Sequence, residues 1–442
     1  MHVSPASASI KVDPGDWIRA PYADCAQCGA RDAVGLLMVS KMVALRRCRV
    51  CMRDTRQELP VPPSPRVLYL DQWALSSLAK ARHPETRERF ASEDDRAAGG
   101  GSWPRLMARI ERLVKANLLV CPRSSIHRAE SSLDSRLWDA LRRVHVHVSG
   151  DARLLDHAEV KRGQLYAGFS AWLDDVEPSF PGREDVLHLR RGWPDLLQVM
   201  SSYQPDPNET ESLRVGRQSR GERLQRQVET WGSEARTFDE RRQEQLAAYG
   251  PSFLPVKPLS DLYALTRHAM AERSISVERW DLEVERFLHS ESPGRTPFAQ
   301  LACDLLASIG WLAEQSQCPK LDDGMIDDVQ AFSAYALTCD AFTVDRRFAH
   351  VLRASPMSDR LPRTAIFAGN ELDSLESWLI GVEADAPAGH FDLLDDVYGP
   401  GWLEPFAGIL DPPARRSQSA RTAKAAPTEP RRKQRLRVRD AP

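Results

Sequence analysis

The chain predicts an α/β protein: a parallel sheet flanked by helices, interrupted by a large helical insert and preceded by a small four-cysteine zinc ribbon. Three observations carry that prediction. Short apolar or β-branched runs, two of them closed by an acid, feed amphipathic helices, as in "RVLYLDQWALSSLAK" at 66 to 80. A charged, mostly helical stretch with Pro/Gly turns separates the early strand–helix units from a late one at 325 to 352. Four cysteines stand near the start as two CxxC pairs, nineteen residues apart.

Residues 1 to 20 lack periodicity and read as disordered. The segment 21 to 59 holds Cys25, Cys28, Cys48 and Cys51, whose spacing places four thiolates tetrahedrally around one Zn²⁺. A redox CxxC or two disulfides are the alternatives, and a reducing cytoplasm disfavours both. With four protein thiolates no coordination position stays open, so the zinc is read as structural. "KMVALRRCRVCMR" sets basic residues around the second knuckle, where they would meet phosphates or pack on protein. Cys121, Cys303, Cys318 and Cys339 lack ligand spacing and read as small hydrophobes.

"PVPPSP" at 60 to 65 is an extended spacer. The first part of the sheet domain follows over 66 to 150. It has a strand ending at Asp71, a second strand in "NLLVCP" at 117 to 122, and a helix from 125 to 143 with Ser124 or Ser125 as N-cap. "VHVHV" at 144 to 148 alternates strictly and predicts a third strand, with His145 and His147 on one face. The helical insert spans 151 to 294. In it Arg214, Arg217, Arg220, Arg223 and Arg226 recur every third residue. Gly216 and Gly221 weaken a helix there, and the surrounding acids favour a solvated segment over a phosphate track. The second part, 295 to 410, carries a helix with Asp327 and Asp328, the strand "AFTV" preceded by Asp340 and followed by Asp345, and another helix.

The last 32 residues, 411 to 442, carry ten Lys/Arg against three Asp/Glu, so a net charge of −2 hides a body near −9 and a basic, disordered tail. With 42% hydrophobic and 28% charged residues, no apolar run of membrane-spanning length and no secretory leader, the chain reads as cytoplasmic.

Asp71 and Asp345 each end a strand, where parallel sheets place their ligand crevice, although either is also a favoured helix cap. Glu130 falls on the helix stripe of Ile126, Leu133, Leu137 and Leu141 and so faces inward, where a carboxylate needs a partner. His127 beside it reads as an orienting group. Asp328 sits at the edge of the apolar side formed by Met325, Val329, Phe332 and Ala336, whereas Asp327 points to solvent. Asp340 reads as a turn residue or a further acid. Such carboxylates suit hard divalent cations and attack on a phosphodiester.

On these residues the chain resembles the PIN-like nucleases. "VLYLDQWALSSLA" is similar to that family's first strand and acid, "CPRSSIHRAES" to its glutamate helix, and "DDVQAFSAYALTCDAFTVDRRFAHVL" to its C-terminal block. Trp73 departs from the pattern, standing where many relatives have a small polar residue. The resemblance implies Mg²⁺ or Mn²⁺ held by Asp71, Glu130, Asp328 and Asp345, with Asp340 as an addition. It also implies nucleic acid, above all RNA, as substrate, and an antitoxin or other protein partner. A zinc-ribbon scaffold with a decayed cleft is the alternative.

Overall fold

The computed structural model describes residues 18–82, 102–133, 138–149, 152–189, 192–193, 207–253, 259–319, 321, 324–354, 356–399 and 402. The leader before Ile18 and the basic tail from 411 lie outside the described residues, so their expected disorder is not addressed by it.

An antiparallel sheet comes first, in the order β1 (Arg19–Ala23), β2 (Val34–Ser40), β3 (Val43–Cys48) and β4 (Asp54–Glu58). β1 starts within the segment read as disordered. Beyond the proline spacer come β5 (Arg66–Tyr69), α1 (Gln72–Arg82), α2 (Ser102–Lys115), β6 (Leu119–Val120), α3 (Ser125–Leu133) and α4 (Trp138–Ser149). The insert contributes β7 (Arg153–Leu154), α5 (His157–Asp174), α6 (Arg183–Val186), β8 (Leu187–His188), α7 (Pro207–Gly232), α8 (Phe238–Tyr249), α9 (Leu259–Glu272) and α10 (Trp280–His289). Then follow α11 (Pro297–Glu314), α12 (Met325–Tyr335), β9 (Ala341–Val344), α13 (Arg346–Arg353), β10 (Ala365–Ala368), α14 (Leu372–Ala384) and α15 (His390–Tyr398).

β10, β9, β5 and β6 form a parallel sheet in that order, with Leu68 opposite Ala341 and Tyr69 opposite Phe342. Side chains alternate between its faces. Val67, Tyr69, Val120, Phe342, Val344 and Ala368 enter one core with α11, α12 and α13, while Leu68, Leu70, Leu119, Ala341 and Phe367 enter the other with α1, α2 and α14. The insert has a small core of its own around Phe169, Met270 and Phe287.

One expectation changes here. "VHVHV" is helical, within α4, because Trp138, Leu141, Val144, His145 and Val148 form one buried helical face on which the period-two alternation is incidental. The expected helix over 125 to 143 is described as α3 and the first part of α4, with 134–137 outside the described residues.

No described helix is long and apolar enough to cross a membrane.

Candidate metal centre and acidic crevice

In the ribbon, hairpin turns bring the CxxC pairs together. The amide of Gly29, at φ +71°, donates to the Cys25 carbonyl at 2.8 Å, and the amide of Met52 donates to the Cys48 carbonyl at 2.9 Å. Cys25 Sγ lies 3.7 Å from Cys51 Sγ and Cys28 Sγ 3.8 Å from Cys48 Sγ, and all four sulfurs fall within 4.8 Å of one another. Sulfurs about 2.3 Å from a shared tetrahedral Zn²⁺ stand about 3.8 Å apart, so the set can hold a metal such as zinc. The backbone amides of Cys51 and Val50 aim at Cys48 and push its thiol down to about 6, favouring the ligating thiolate.

Basic residues of the second knuckle are engaged by protein. Arg46 donates to the Pro21 and Asp396 carbonyls at 3.3 and 2.9 Å, Arg47 pairs with Asp54 at 2.5 Å, and Arg49 donates to the Asp32 carbonyl at 2.7 Å. Leu36, Val39, Ala44 and Leu59 enter the same core as α1 and α2. Gly192, at φ +106°, lies so close to the Lys41 backbone that a Cβ would come within 2.4 Å of it. The ribbon is thus packed onto the sheet domain.

β5 and β9 are adjacent at the middle of the parallel sheet. The chain leaves β5 through α1 and α2 toward β6 on one side, and leaves β9 through α13 toward β10 on the other. Their carboxyl ends flank a topological switch point, the place at which parallel sheets put a ligand crevice. Asp71 and Asp345 stand there.

Each also caps the following helix: Asp71 Oδ1 accepts from the Ala74 amide at 2.8 Å and Asp345 Oδ1 from the Phe348 amide at 2.7 Å. Capping and ligation are compatible, because a carboxylate has a second oxygen. Burial pushes the Asp71 carboxyl up to about 8, reinforced by the nearby negative charges of Asp345 and Glu130.

Thr343, in the middle of β9, sets the orientation of Asp71. Its Oγ1 accepts from the Asp71 amide at 2.9 Å and lies 3.3 Å from Asp71 Oδ1. On the other side His127 Nε2 donates to the Leu70 carbonyl at 2.6 Å while its Nδ1 accepts from the Ser124 amide at 3.2 Å. Burial lowers its pKa to about 4, so the ring is neutral, and it stacks on Tyr69 with centroids 4.6 Å apart. Trp73 turns into the wall, edge-on to Trp103 at 5.1 Å and against Gly369.

Glu130 of α3 projects toward the insert. Arg217 Nη2 donates to Glu130 Oε1 at 2.8 Å, and its Nε lies 3.1 Å from Asp327 Oδ2; Arg220 Nη2 lies 3.1 Å from Asp327 Oδ1. Asp327 is therefore the buried acid of α12, 8% exposed, and not a solvated one, because the arginines of α7 compensate its charge. Asp328 is half-buried and, after burial and Tyr335, shares with Glu130 in pushing the Tyr69 phenol well above its ordinary range.

Asp340 does not join these acids. It precedes β9, at the opposite end of the strand from Asp345, where its Oδ2 accepts from the Val67 amide at 2.7 Å and its carboxylate pairs with Arg66 and Arg183 at 3.4 and 3.2 Å. Its work is to tie β5 to β9. The arginine row lies on one continuous helix, α7, despite Gly216 and Gly221: Arg214, Arg223 and Arg226 are exposed, as expected of a solvated helix, while Arg217 and Arg220 face inward.

Among the described residues, only the cysteines bring three or more ligand atoms within 4.8 Å; the carboxylates are spaced more widely. Two hollows flank α3. One, of about 410 Å³, is lined by Arg128, Trp138, His157, Arg220 and Gln330 among others, and the second, of about 440 Å³, by Arg123, Arg128, Arg142, Arg153 and His145. No family model, no curated protein and no solved structure matches the chain.

Proposed function

We propose that the crevice is the site of a divalent-metal-dependent, PIN-like nuclease, an endoribonuclease hydrolysing phosphodiester bonds. The observation that carries this reading is the placement of Asp71 and Asp345 side by side at the switch point, with Glu130 and Asp328 within electrostatic reach of the same strand end. Burial, and after it the like charges of Asp345 and Glu130, holds the Asp71 carboxyl above its ordinary range, and a divalent cation at the strand tips would favour its ionised form.

Asp71 and Asp345 would hold Mg²⁺ or Mn²⁺, with Glu130 and Asp328 completing the set. A divalent cation there supplies positive charge to phosphate oxygens and acidifies water. Thr343 and the helix caps keep the carboxylates oriented, His127 keeps the Leu70 carbonyl in place, and the arginine-lined hollows offer a path for a polyanionic strand.

Incubation of purified protein with mixed RNA substrates and Mn²⁺ tests this, with the Asp71→Asn, Asp345→Asn double variant as control. The expected result is cleavage by the wild type that is lost in the variant; cleavage that persists in the variant overturns the site. The occupation of Glu130 and Asp327 by Arg217 and Arg220 favours a second reading, a zinc-ribbon scaffold with a blocked cleft. Binding of RNA without cleavage under any divalent cation would select it.

A further inference from the structure

We propose that Arg217 and Arg220 are the residues that receive substrate phosphate, and that in the uncomplexed chain they are parked on Glu130 and Asp327. Divalent cation and nucleic acid then bind cooperatively, by exchanging partners with these pairs. This rests on the nuclease reading above and adds to it the source of the phosphate ligands and a thermodynamic coupling.

Position along α7 comes first. Leu213, Arg217, Arg220, Leu224, Val228 and Trp231 follow one another at intervals of three or four and so share a helical face. Leu224, Val228 and Trp231 are buried in the core against the sheet. They anchor the C-terminal half of α7, and the preceding two turns therefore carry their arginines over α3 and α12. A guanidinium on an inward face is costly to keep without a role or a partner, and here two occur one turn apart.

The geometry gives the partners. Arg217 bridges the two helices, bonding Glu130 on α3 and Asp327 on α12, and Arg220 adds a second contact to Asp327. The acid side chains are only 13% and 11% exposed, so neither tolerates loss of its counter-charge. Arg220, 38% exposed, also lines the 410 Å³ hollow with Arg128, Trp138, His157 and Gln330. Asp156 and Asp327 line the same hollow and oppose its two arginines, so a phosphate is received there only as Arg217 and Arg220 turn to it, with Trp138 and Gln330 beside it to meet a base.

Charge balance then couples the ligands. In these contacts the charges of Arg217 and Arg220 and those of Glu130 and Asp327 oppose one another. A dication drawn to Glu130 alone meets the guanidinium groups, and a phosphate drawn to Arg217 or Arg220 alone meets the carboxylates. When both arrive, the dication replaces Arg217 on Glu130 and the phosphate replaces Glu130 on Arg217, while Arg220, whose guanidinium has N–H donors to spare, keeps Asp327 opposed and turns a further N–H to the phosphate. Each ligand must therefore raise the affinity of the other by the same factor.

The test measures Mn²⁺ binding to the full chain by electron paramagnetic resonance, with and without a phosphorothioate oligoribonucleotide that resists hydrolysis. In the wild type the oligonucleotide should tighten Mn²⁺ binding about tenfold or more. In Arg217→Gln, Arg220→Gln, Mn²⁺ should bind without the oligonucleotide about as tightly as it binds the wild type with it, and the coupling should fall toward one. Arg217→Lys, Arg220→Lys, which keeps the charges, should retain coupling. Should the double Gln variant fail to fold, Arg220→Gln alone gives the same readout at lower amplitude. Coupling that is unchanged in the Gln variants, or lost in the Lys pair as well, overturns the proposal. If the wild type binds no Mn²⁺ under either condition, the nuclease reading falls and this inference with it; Mn²⁺-dependent cleavage with unaltered coupling in the Gln variants overturns the inference alone.

Discussion

Arg217 of α7 and Glu130 of α3, 87 residues apart, meet at 2.8 Å over the acidic crevice. An ion pair this little exposed is worth most when one side is removed, since the other is then left without a counter-charge. In chelator, Arg217→Met should destabilise the chain by about 3 kcal/mol, while the Arg217→Met, Glu130→Met pair should recover part of that loss. Urea unfolding of both singles and the double measures the coupling, expected at about 1 to 3 kcal/mol.

Acid and alkali should each weaken the chain through identifiable groups. Asp71 has its pKa raised by burial to about 8 from 3.8, so the folded state holds a proton that the unfolded state releases between these values. Its contribution is complete below pH 3.8 and is lost as pH rises through 8. His127 and His145 are lowered by burial, His127 to about 4, so the unfolded chain takes up their protons first as pH falls below 6.5 and stability declines there. Urea midpoints in chelator should fall as pH rises from about 6.5 toward about 8, and Asp71→Asn should flatten that alkaline limb and steepen the acid limb, because below 6.5 the Asp71 proton difference opposes that of the histidines.

Thr343 is nearly inaccessible, and its hydroxyl accepts the Asp71 amide. Thr343→Val keeps the shape but leaves that amide without its acceptor, at a cost of about 1 to 3 kcal/mol. Thr343→Ser should recover most of it. Denaturant titration checks the energy; under the proposed function, Mn²⁺-dependent cleavage should fall about tenfold or more in Thr343→Val as Asp71 loses its orientation.

Elemental analysis should find about one zinc per chain in the wild type and a marked loss in Cys48→Ser. Because the ribbon strands share the core of the sheet domain, the variant should lose more than about 4 kcal/mol, the range in which removal of a structural metal falls. Proteolysis within 21 to 59 should accelerate in parallel.

The parts of this site that could be read in the sequence are those written in local pattern. Asp71 and Asp345 follow apolar strands and precede helices, and the cysteine spacing names its own geometry. Thr343 lies within "AFTV", but a threonine inside a strand has no local mark distinguishing an orienting hydroxyl from an ordinary β-former. Arg217 and Arg220 did carry a signal, their phase with Leu224, Val228 and Trp231, which the more obvious three-residue arginine repeat and two glycines obscured. Asp340 and Asp327 show the limit: which acid faces the crevice depends on arginines supplied from a distant part of the chain, at Arg183, Arg217 and Arg220. "VHVHV" satisfies both a strand period and an i, i+4 helical contact, and the packing partner decides between them.

The apolar side of the ribbon, Leu36, Val39, Ala44 and Leu59, has no surface of its own to withdraw to. A chain trimmed to start at the proline spacer would not be a smaller version of the same molecule. It would bare the flank of α1 and α2 to water, and it should self-associate or precipitate before any question about its chemistry could be asked of it.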